Sequence, residues 1–457
     1  MGLASVVLSR KELRDGMETD GVQESLSFMK KGIWRGISVE GKGLLLGLVI
    51  GVMVGLTGGL FYRTLQWSAG VRENFPWLIF GLPVVGLLIV WMYRRGGEAT
   101  TGGTNLVIRG ARGEKRVSKL LAPLIFCATV LTNLFGGSAG REGAALQLGG
   151  SLAAGLSRKL RLSATLSHMA VICGMAAGFS ALFGSKISAV VFALEISCMG
   201  FLCVETLLPC LVASVAAGTV SAWLGGHAVA FAIPEVSMEG LSLRSVILGL
   251  LCGLLSIVVC HTLEGAKSLM AKAFRNEYVR VAAGGCFILI FTLVLGNQVY
   301  LGAGQNLMTQ AVQLGSARPT DFVLKLLFTA VTLSVGYKGG EIVPVFAIGA
   351  TFGCVAAPLL GLPPQLGAAI GMIALFCGVT NCPVTSLMLG LEVFGFANPV
   401  CFFVAVTASF FASGREGLYA KPKFSCFTLT ALDGKLHEAI RRRRDARTSV
   451  PLREKVS

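Results

Sequence analysis

The chain of 457 residues is 54% hydrophobic and only 14% charged, with a mean hydropathy of +0.73. Ordinary soluble proteins carry about 25% charged residues, so this composition excludes a soluble globular protein and indicates an integral membrane protein. The formal net charge of +16 comes from 40 basic and 24 acidic residues, and its meaning depends on where the basic residues lie.

Charged residues are concentrated near the two termini and in the segment 94–119. The first forty residues have mixed charge and lack the basic-then-apolar order of a cleavable signal, so the apolar stretch 44–62 is predicted to be a spanning helix. Basic residues outnumber acids seven to two in 94–119 and eleven to five in 414–457. The positive-inside rule places both segments in the cytoplasm, and we predict a cytoplasmic N-terminal segment (1–39) and a basic cytoplasmic tail (413–457).

The sequence gives little indication of a nucleic-acid, metal or cofactor ligand. The arginine run 441–444 is a candidate nucleic-acid contact, but a basic run beside a membrane protein body is more often an orientation signal or a lipid headgroup contact. The thirteen cysteines include no Cys-x-x-Cys, and the four histidines have no ligand spacing. Buried thiols are therefore expected, and no nucleic-acid partner, metal site or cofactor is assigned.

The middle of the chain consists of interrupted apolar stretches. Twelve of them follow one another between residues 43 and 412, and several are shorter than the roughly 20 residues that cross a hydrocarbon core. Glycine or proline pairs interrupt the pattern, as at 136–137, 339–340 and 363–364. Broken backbone within a membrane is tolerated where protein buries it or it lines a cavity, so half-helices that meet within the bilayer are expected.

Two glutamates stand among glycines at the predicted start of an apolar helix, Glu142 in GREG and Glu341 in GGEIVP. Each is followed by a second acid, Glu195 after 53 residues and Glu392 after 51 residues. The recurrence indicates a duplicated membrane unit.

The predicted fold is an all-α, polytopic membrane protein of two inverted-topology repeats with broken and re-entrant helices. The first repeat is predicted at 40–225 and the second at 226–412. Transporters built from such repeats bind substrate where broken helices converge near the midplane. Helix starts carry unpaired N–H groups and a positive dipole end, so the expected ligand is a small anion.

These segments resemble the CLC family of chloride channels and proton-coupled anion antiporters. GSAGREGAALQLGGSLA (137–153) is similar to the family's GREGP helix, and TNCPVTSLMLGLE (380–392) resembles a segment near the end of its second repeat. YKGGEIVP (337–344) occupies the place of the GxFxP motif. Its GGE form, together with LTNLFGGSAGREG and KLLFTAVTLSVGYKGGE, is closest to the fluoride-exporting branch. The resemblance covers roughly residues 40–420.

The resemblance implies roles for both glutamates. Glu142 would be the external gate, because its carboxylate can occupy the anion's site at the helix start and leave it when protonated. Glu341 has no counterpart in ordinary chloride members, and in the fluoride branch a proton-handling role is implied. The structural alternatives are ion pairs, of Glu142 with Arg141 or a neighbour and of Glu341 with Lys338.

The resemblance also implies contacts to the anion. Gly103 stands at the serine position of the family's GSGIP turn, which leaves Thr104 or Asn105 as polar contacts. Tyr419 corresponds to a central tyrosine whose hydroxyl faces the anion, although a tyrosine there is equally an interfacial anchor. The implied anion-binding residues are Gly103, Thr104, Asn105, Gly140, Arg141, Gly143, Gly340, Ile342, Val343 and Tyr419.

The chain departs from the family pattern at several positions. Val343 stands where the fluoride branch usually has a threonine hydroxyl, and Ile196 stands at the internal proton-transfer glutamate of chloride antiporters. Glu195 and Glu392 are interpreted as mainly structural. Lys186, a cation within the membrane body, either snorkels to an interface or attracts anions.

We therefore expect movement of chloride or fluoride, as a channel or an anion/proton antiporter, with fluoride/proton antiport favoured by motif. A passive chloride channel of the voltage-gated type is the alternative. A membrane enzyme with Glu142 and Glu341 as an acid–base pair is an alternative of another class, but the sequence offers no nucleophile constellation or phosphate loop, and we predict no enzyme. A homodimer with one path per subunit, no regulatory CBS domains and a bacterial inner membrane are also expected.

Overall fold

The computed structural model describes residues 41–97, 102–197, 204–226, 229–235, 241–396, 398–414 and 417–419. Within these ranges the chain forms sixteen α-helices, one short 3₁₀ helix at Pro76–Gly81 and no β-strand. The helices are α1 (Gly41–Asn74), α2 (Leu82–Gly96), α3 (Gly103–Ala111), α4 (Leu121–Leu134), α5 (Glu142–Lys159), α6 (Ala164–Phe183), α7 (Lys186–Ser197), α8 (Val204–Trp223), α9 (Leu241–Ala273), α10 (Glu277–Leu295), α11 (Gln305–Gln313), α12 (Asp321–Val335), α13 (Ile342–Leu359), α14 (Pro364–Thr380), α15 (Pro383–Phe394) and α16 (Pro399–Ser413).

The two halves of the chain have matching helices. α3 and α11 are nine residues long, α5 and α13 eighteen, and α7 and α15 twelve. The packing also repeats, since α6 lies between α5 and α8 as α14 lies between α13 and α16. The exact repeat boundaries stay a prediction, and the predicted segment 1–39 and residues 420–457 of the predicted tail lie outside the described residues.

Seven of the described helical segments are long and apolar enough to cross a membrane. Four further apolar helices, α4, α14, α15 and α16, have 14, 17, 12 and 15 residues, which is short of a full crossing. Large apolar side chains are exposed on the outside of the bundle, such as Leu45, Val84 and Val294, as expected for a surface that contacts lipid.

Polar contacts at and just beyond the ends of α2 and α10 mark the two ends of the bundle. At one end Arg94 Nε lies 3.0 Å from Glu277 Oε2, and at the other Gln298 Nε2 donates to the carbonyl of Pro76 at 3.0 Å. The first end adjoins the basic segment 94–119, which the positive-inside rule assigns to the cytoplasm. We call this end the inner side and the opposite end the outer side.

Two acids join the repeats by capping each other's helices. Glu195 in α7 accepts hydrogen bonds from the N–H groups of Val384 and Thr385 at the start of α15, at 3.2 and 2.9 Å. Glu392 in α15 accepts from the N–H groups of Ile187 and Ser188 at the start of α7, both at 2.9 Å. Each carboxylate thus satisfies N–H groups that its partner helix leaves open, which supports the structural interpretation of both acids.

Replacement of Glu195 by alanine is expected to destabilise the protein. Glu195→Ala leaves two N–H groups and the Thr385 hydroxyl without their acceptor, which should lower the free energy of unfolding by about 1–3 kcal/mol. The measurement is the thermal unfolding midpoint of purified protein in detergent. Glu264→Ala, at an exposed position in α9, is the matched control, and equal midpoints for the two variants would contradict the capping role.

Candidate anion site

The N-terminal starts of α5 and α13 meet back to back. Gly140 N–H donates to the carbonyl of Gly340 at 2.6 Å, and Gly340 N–H donates to the carbonyl of Gly140 at 2.8 Å. A Cβ on Gly340 would lie 2.5 Å from the backbone nitrogen of Gly143, and one on Gly140 would lie 2.8 Å from Cδ of Pro344. Only glycine permits this approach, so the two broken helices begin at one point.

Glu142 lies at the start of α5 and is completely buried. Its Oε2 accepts from the backbone N–H of Arg141 at 3.2 Å, and its Oε1 lies 3.3 Å from Nε of Arg141. The predicted ion-pair alternative is therefore present in this conformation. The carboxylate occupies the positive end of its own helix, which is where an anion would bind, so the ion pair and the anion site are compatible.

Glu341 reaches the same helix start from the second repeat. A Cβ on Gly143 would lie 3.4 Å from Oε2 of Glu341 and 3.2 Å from Oγ1 of Thr104, so both side chains lie against the first turn of α5. The alternative of an ion pair between Glu341 and Lys338 is wrong. Lys338 Nζ lies instead 4.5 Å from the ring centroid of Tyr93, and the ion pairs among the described residues are Arg94–Glu277 and Arg141–Glu142.

The start of α3 supplies the third side of the site. Gly103 has a positive φ of 58°, which glycine adopts readily. Thr104 is buried, and its Oγ1 accepts from Nε2 of Gln147 in α5 at 3.3 Å. Asn105 Nδ2 donates to the carbonyl of Leu418 at 3.4 Å, so the structure uses Asn105 to hold the segment that carries Tyr419.

Tyr419 presents a buried hydroxyl without a hydrogen-bond partner in the described part of the chain. Its ring lies edge-on to Phe192, with centroids 6.4 Å apart, and the Glu341 carboxylate lies beside the hydroxyl without a hydrogen bond of good geometry. An unsatisfied buried hydroxyl costs about 1–3 kcal/mol. A donor left open in this position is suited to an anion.

Ile342 and Val343 form the apolar side of the site, at the first turn of α13. Both are buried, and the Cβ of Val343 would lie 3.2 Å from a Cβ on Gly140. They offer backbone N–H groups that the helix itself leaves open, but no side-chain donor.

Two cavities approach the start of α5 from opposite sides of the bundle. The outer cavity of about 540 Å³ is lined by Arg72, Asn133 and Arg141, among others. The inner cavity of about 300 Å³ is lined by residues that include Gly103, Thr104, Asn105, Gln147, Lys338 and Glu341. The two cavities share no lining residue, and Glu142 with the Gly140–Gly340 pair lies between them.

Comparisons with known proteins agree with this architecture. A family model described as "Voltage gated chloride channel" matches residues 85–414. The chain belongs to this family, the CLC family. It is therefore a multi-pass integral membrane protein, and the fold class predicted from the sequence is confirmed.

Several CLC proteins are similar over most of their length. The chain is 33% identical to the "Chloride/fluoride channel protein" of Pseudomonas syringae pv. tomato, over 83% of this chain and 85% of that protein. It is 24% identical to the "H(+)/Cl(-) exchange transporter ClcA" of Vibrio cholerae, over 76% of this chain and 81% of that protein. These relatives are named as channels and exchangers, which supports the prediction that the CLC chain is not an enzyme.

Two solved structures have the same fold. One, a CLC-type fluoride/proton antiporter, has a TM-score of 0.79 and 35% identity, covering 83% of this chain and 96% of that chain. The other, a slow cyanobacterial Cl⁻/H⁺ antiporter, has a TM-score of 0.72 over 81% of this chain and 94% of that chain. At 18% identity, the second shows the fold alone.

Lys186 and Ile196, two positions at which this CLC chain departs from the family pattern, lie outside the anion site. Lys186 packs its side chain near Gly218 in α8, and a Cβ on Gly218 would lie 3.2 Å from its Cε. Lys186 lines neither the outer nor the inner cavity. Ile196 is buried, and its carbonyl accepts from the guanidinium of Arg112 at 2.7 Å.

Lys325 supports the loop that leads into the site, a role that the sequence analysis did not predict. It is fully buried in α12, and its ammonium donates to Oγ of Ser138 at 2.9 Å and to the carbonyls of Tyr300 and Gly302 at 3.1 and 2.7 Å. Ser138 belongs to the loop that leads into Gly140, so α12 holds the entry to α5 in place. A lysine inside the apolar run KLLFTAV was the available signal.

Lys325→Met is expected to destabilise the loop before α5. The change leaves the Tyr300 and Gly302 carbonyls and the Ser138 hydroxyl without their shared donor, which should lower the free energy of unfolding by about 3 kcal/mol or more. Thermal unfolding in detergent tests this, with the exposed Lys272→Met in α9 as control. A midpoint equal to that of the control would contradict the role assigned to Lys325.

Proposed function

We propose that this CLC protein moves fluoride out of the cell in exchange for protons. The observation that carries the proposal is the convergence of two carboxylates on one helix start. Glu142 from the first repeat and Glu341 from the second both lie at the N-terminus of α5. The open hydroxyl of Tyr419 and two separate cavities complete the arrangement.

Competition for the start of α5 links the anion to the proton. Ionised Glu142 is held by the N–H and guanidinium of Arg141 and excludes an anion from the same positive helix end. Protonation removes the charge that these groups attract, so the side chain leaves and an anion takes its place. One group therefore binds a proton in one state and yields to the anion in the other.

Glu341 connects the protonation of Glu142 to the inner cavity. It lines the inner cavity, whereas Glu142 lines neither cavity. A proton released toward the inner side can therefore pass to Glu341. The anion enters the same cavity along Gly103, Thr104 and Gln147, whose amide and hydroxyl groups are available as polar contacts.

Fluoride is favoured by the donors of the site and by similarity. Fluoride is strongly hydrated, so a site must replace its water with hydrogen-bond donors, and Tyr419, Gln147 and the backbone N–H groups are such donors. The two similar proteins at 33% and 35% identity carry fluoride in their names. Chloride transport is the second candidate, because Val343 gives the site an apolar side without a hydroxyl.

We further propose a homodimer in a bacterial inner membrane, in contact with lipid. The relatives from Pseudomonas and Vibrio are bacterial. The proposal includes one anion path per subunit.

Efflux from liposomes tests the function. Vesicles that contain the purified protein and fluoride are expected to release fluoride while their interior acidifies, and Glu142→Gln should abolish the proton movement because the group can no longer ionise. Internal pH and external fluoride are recorded together. The exposed Glu264→Gln in α9 is the control and should behave as the unchanged protein.

The other outcomes separate the alternatives. Chloride efflux without proton movement would identify a chloride channel and overturn fluoride/proton antiport. Absence of fluoride and chloride efflux from the unchanged protein would contradict the transport function itself.

Tyr419→Phe tests the open hydroxyl. Because the hydroxyl makes no hydrogen bond of good geometry to a described group, its removal should change the unfolding midpoint little but weaken the apparent affinity for the anion about tenfold. Tyr337→Phe is the matched control, since its hydroxyl donates to the carbonyl of Leu82 at 2.8 Å. It should lower the midpoint instead, and an unchanged affinity in Tyr419→Phe would remove Tyr419 from the site.

A further inference from the structure

A third cavity lies on the inner side between α2 and α10. It has a volume of about 380 Å³, and its polar lining consists of Tyr93, Arg94, Glu277, Arg280 and Lys338. We infer that this side cavity binds a second small inorganic anion and supplies it to the inner cavity. The inference rests on the proposed function for the identity of the anion, a halide, but not for the existence of the site.

The side chains that line the side cavity carry more positive than negative charge. Three cations, Arg94, Arg280 and Lys338, face one carboxylate, Glu277. Glu277 is engaged by Arg94 at 3.0 Å. Arg280 and Lys338 therefore keep positive charge that no ion pair in the described part of the chain neutralises, and such a concave surface concentrates anions.

The unused polar atoms of the side cavity are hydrogen-bond donors. The hydroxyl of Tyr93 and Nε of Arg280 are both buried and without a partner among the described residues, and only 8% of Tyr93 is exposed. The Lys338 ammonium contacts the face of the Tyr93 ring at 4.5 Å. Buried polar groups in native proteins are nearly always satisfied, so two unpartnered donors on residues that line one cavity point to an acceptor that binds there.

Two residues connect the side cavity to the path. Tyr93 and Lys338 line both the side cavity and the inner cavity, which also contains Glu341. Because Lys338 lines both cavities, its positive charge acts on an anion in either of them. Lys338 directly precedes Gly339 and Gly340, so the proposed route of the anion from the side cavity to the start of α13 runs along this residue.

Lys338 is well placed for this because its backbone is fixed. The preceding residue, Tyr337, is buried and donates to the carbonyl of Leu82. A Cβ on Gly285 would lie only 2.4 Å from the Tyr337 hydroxyl oxygen, so the Tyr337 ring packs tightly between α2 and α10. The peptide of Lys338 is therefore held at the boundary between the two cavities.

Bromide tests the site directly, because anomalous X-ray scattering identifies this halide in crystals. Crystals of the purified protein soaked in sodium bromide should show bromide within hydrogen-bond distance of Arg280 Nε and the Tyr93 hydroxyl. The peak should disappear in Arg280→Gln and weaken in Tyr93→Phe. It should persist in Arg275→Gln, the same change at an exposed position before α10. Bromide in the path but absent from the side cavity would overturn the proposal.

The direction of transport provides the second readout. In vesicles with one protein orientation, Arg280→Gln should raise the half-saturating fluoride concentration on the inner side about tenfold, while the value on the outer side stays that of the unchanged protein. Arg275→Gln should alter neither value. Equal effects on both sides would contradict a site that serves the inner side.

The two proposals can fail separately. If the unchanged protein moves no halide, the transport function fails, and the bromide experiment still decides whether the side cavity binds an anion. If transport proceeds but Arg280→Gln matches Arg275→Gln on the inner side, the supply role fails alone. Bromide in the side cavity that persists in Arg280→Gln would show an adventitious ion only.

Discussion

The reciprocal hydrogen bonds between Gly140 and Gly340 are the constraint on which the rest of the site depends. They place two helix N-termini at one point inside the bundle, among buried residues. A positive potential of this kind requires an anionic partner. The chain supplies carboxylates from both repeats, and the same potential that holds a carboxylate also admits a mobile anion.

Polar atoms without a hydrogen-bond partner among the described residues recur along the inner part of the molecule. Tyr419 leaves its hydroxyl open at the helix start, and Tyr93 and Arg280 leave donors open in the side cavity. By contrast, Lys325 is as deeply buried but satisfied by three acceptors. The difference separates a lysine that supports the fold from polar groups that are available to a ligand.

Sequence reasoning reached the fold class and the two carboxylates because both depend on local patterns. Glycines around Glu142 and Glu341 require a close backbone approach, and an acid in an apolar chain requires a function. It could not decide the partner of Lys338, since the aromatic ring that it contacts lies 245 positions earlier in the chain. Gln147 was also missed, although it follows Gly143 by four residues and so lies on the same face of α5.

The mutual caps formed by Glu195 and Glu392 bear on the origin of the fold. Each acid binds the start of the other acid's helix, so the contact is the same when the two repeats are exchanged. Two identical half-length chains, inserted in the membrane in opposite orientations, would make this contact as an antiparallel pair before any fusion. A gene duplication would then need only a connecting segment, because the interface between the halves already existed in symmetric form.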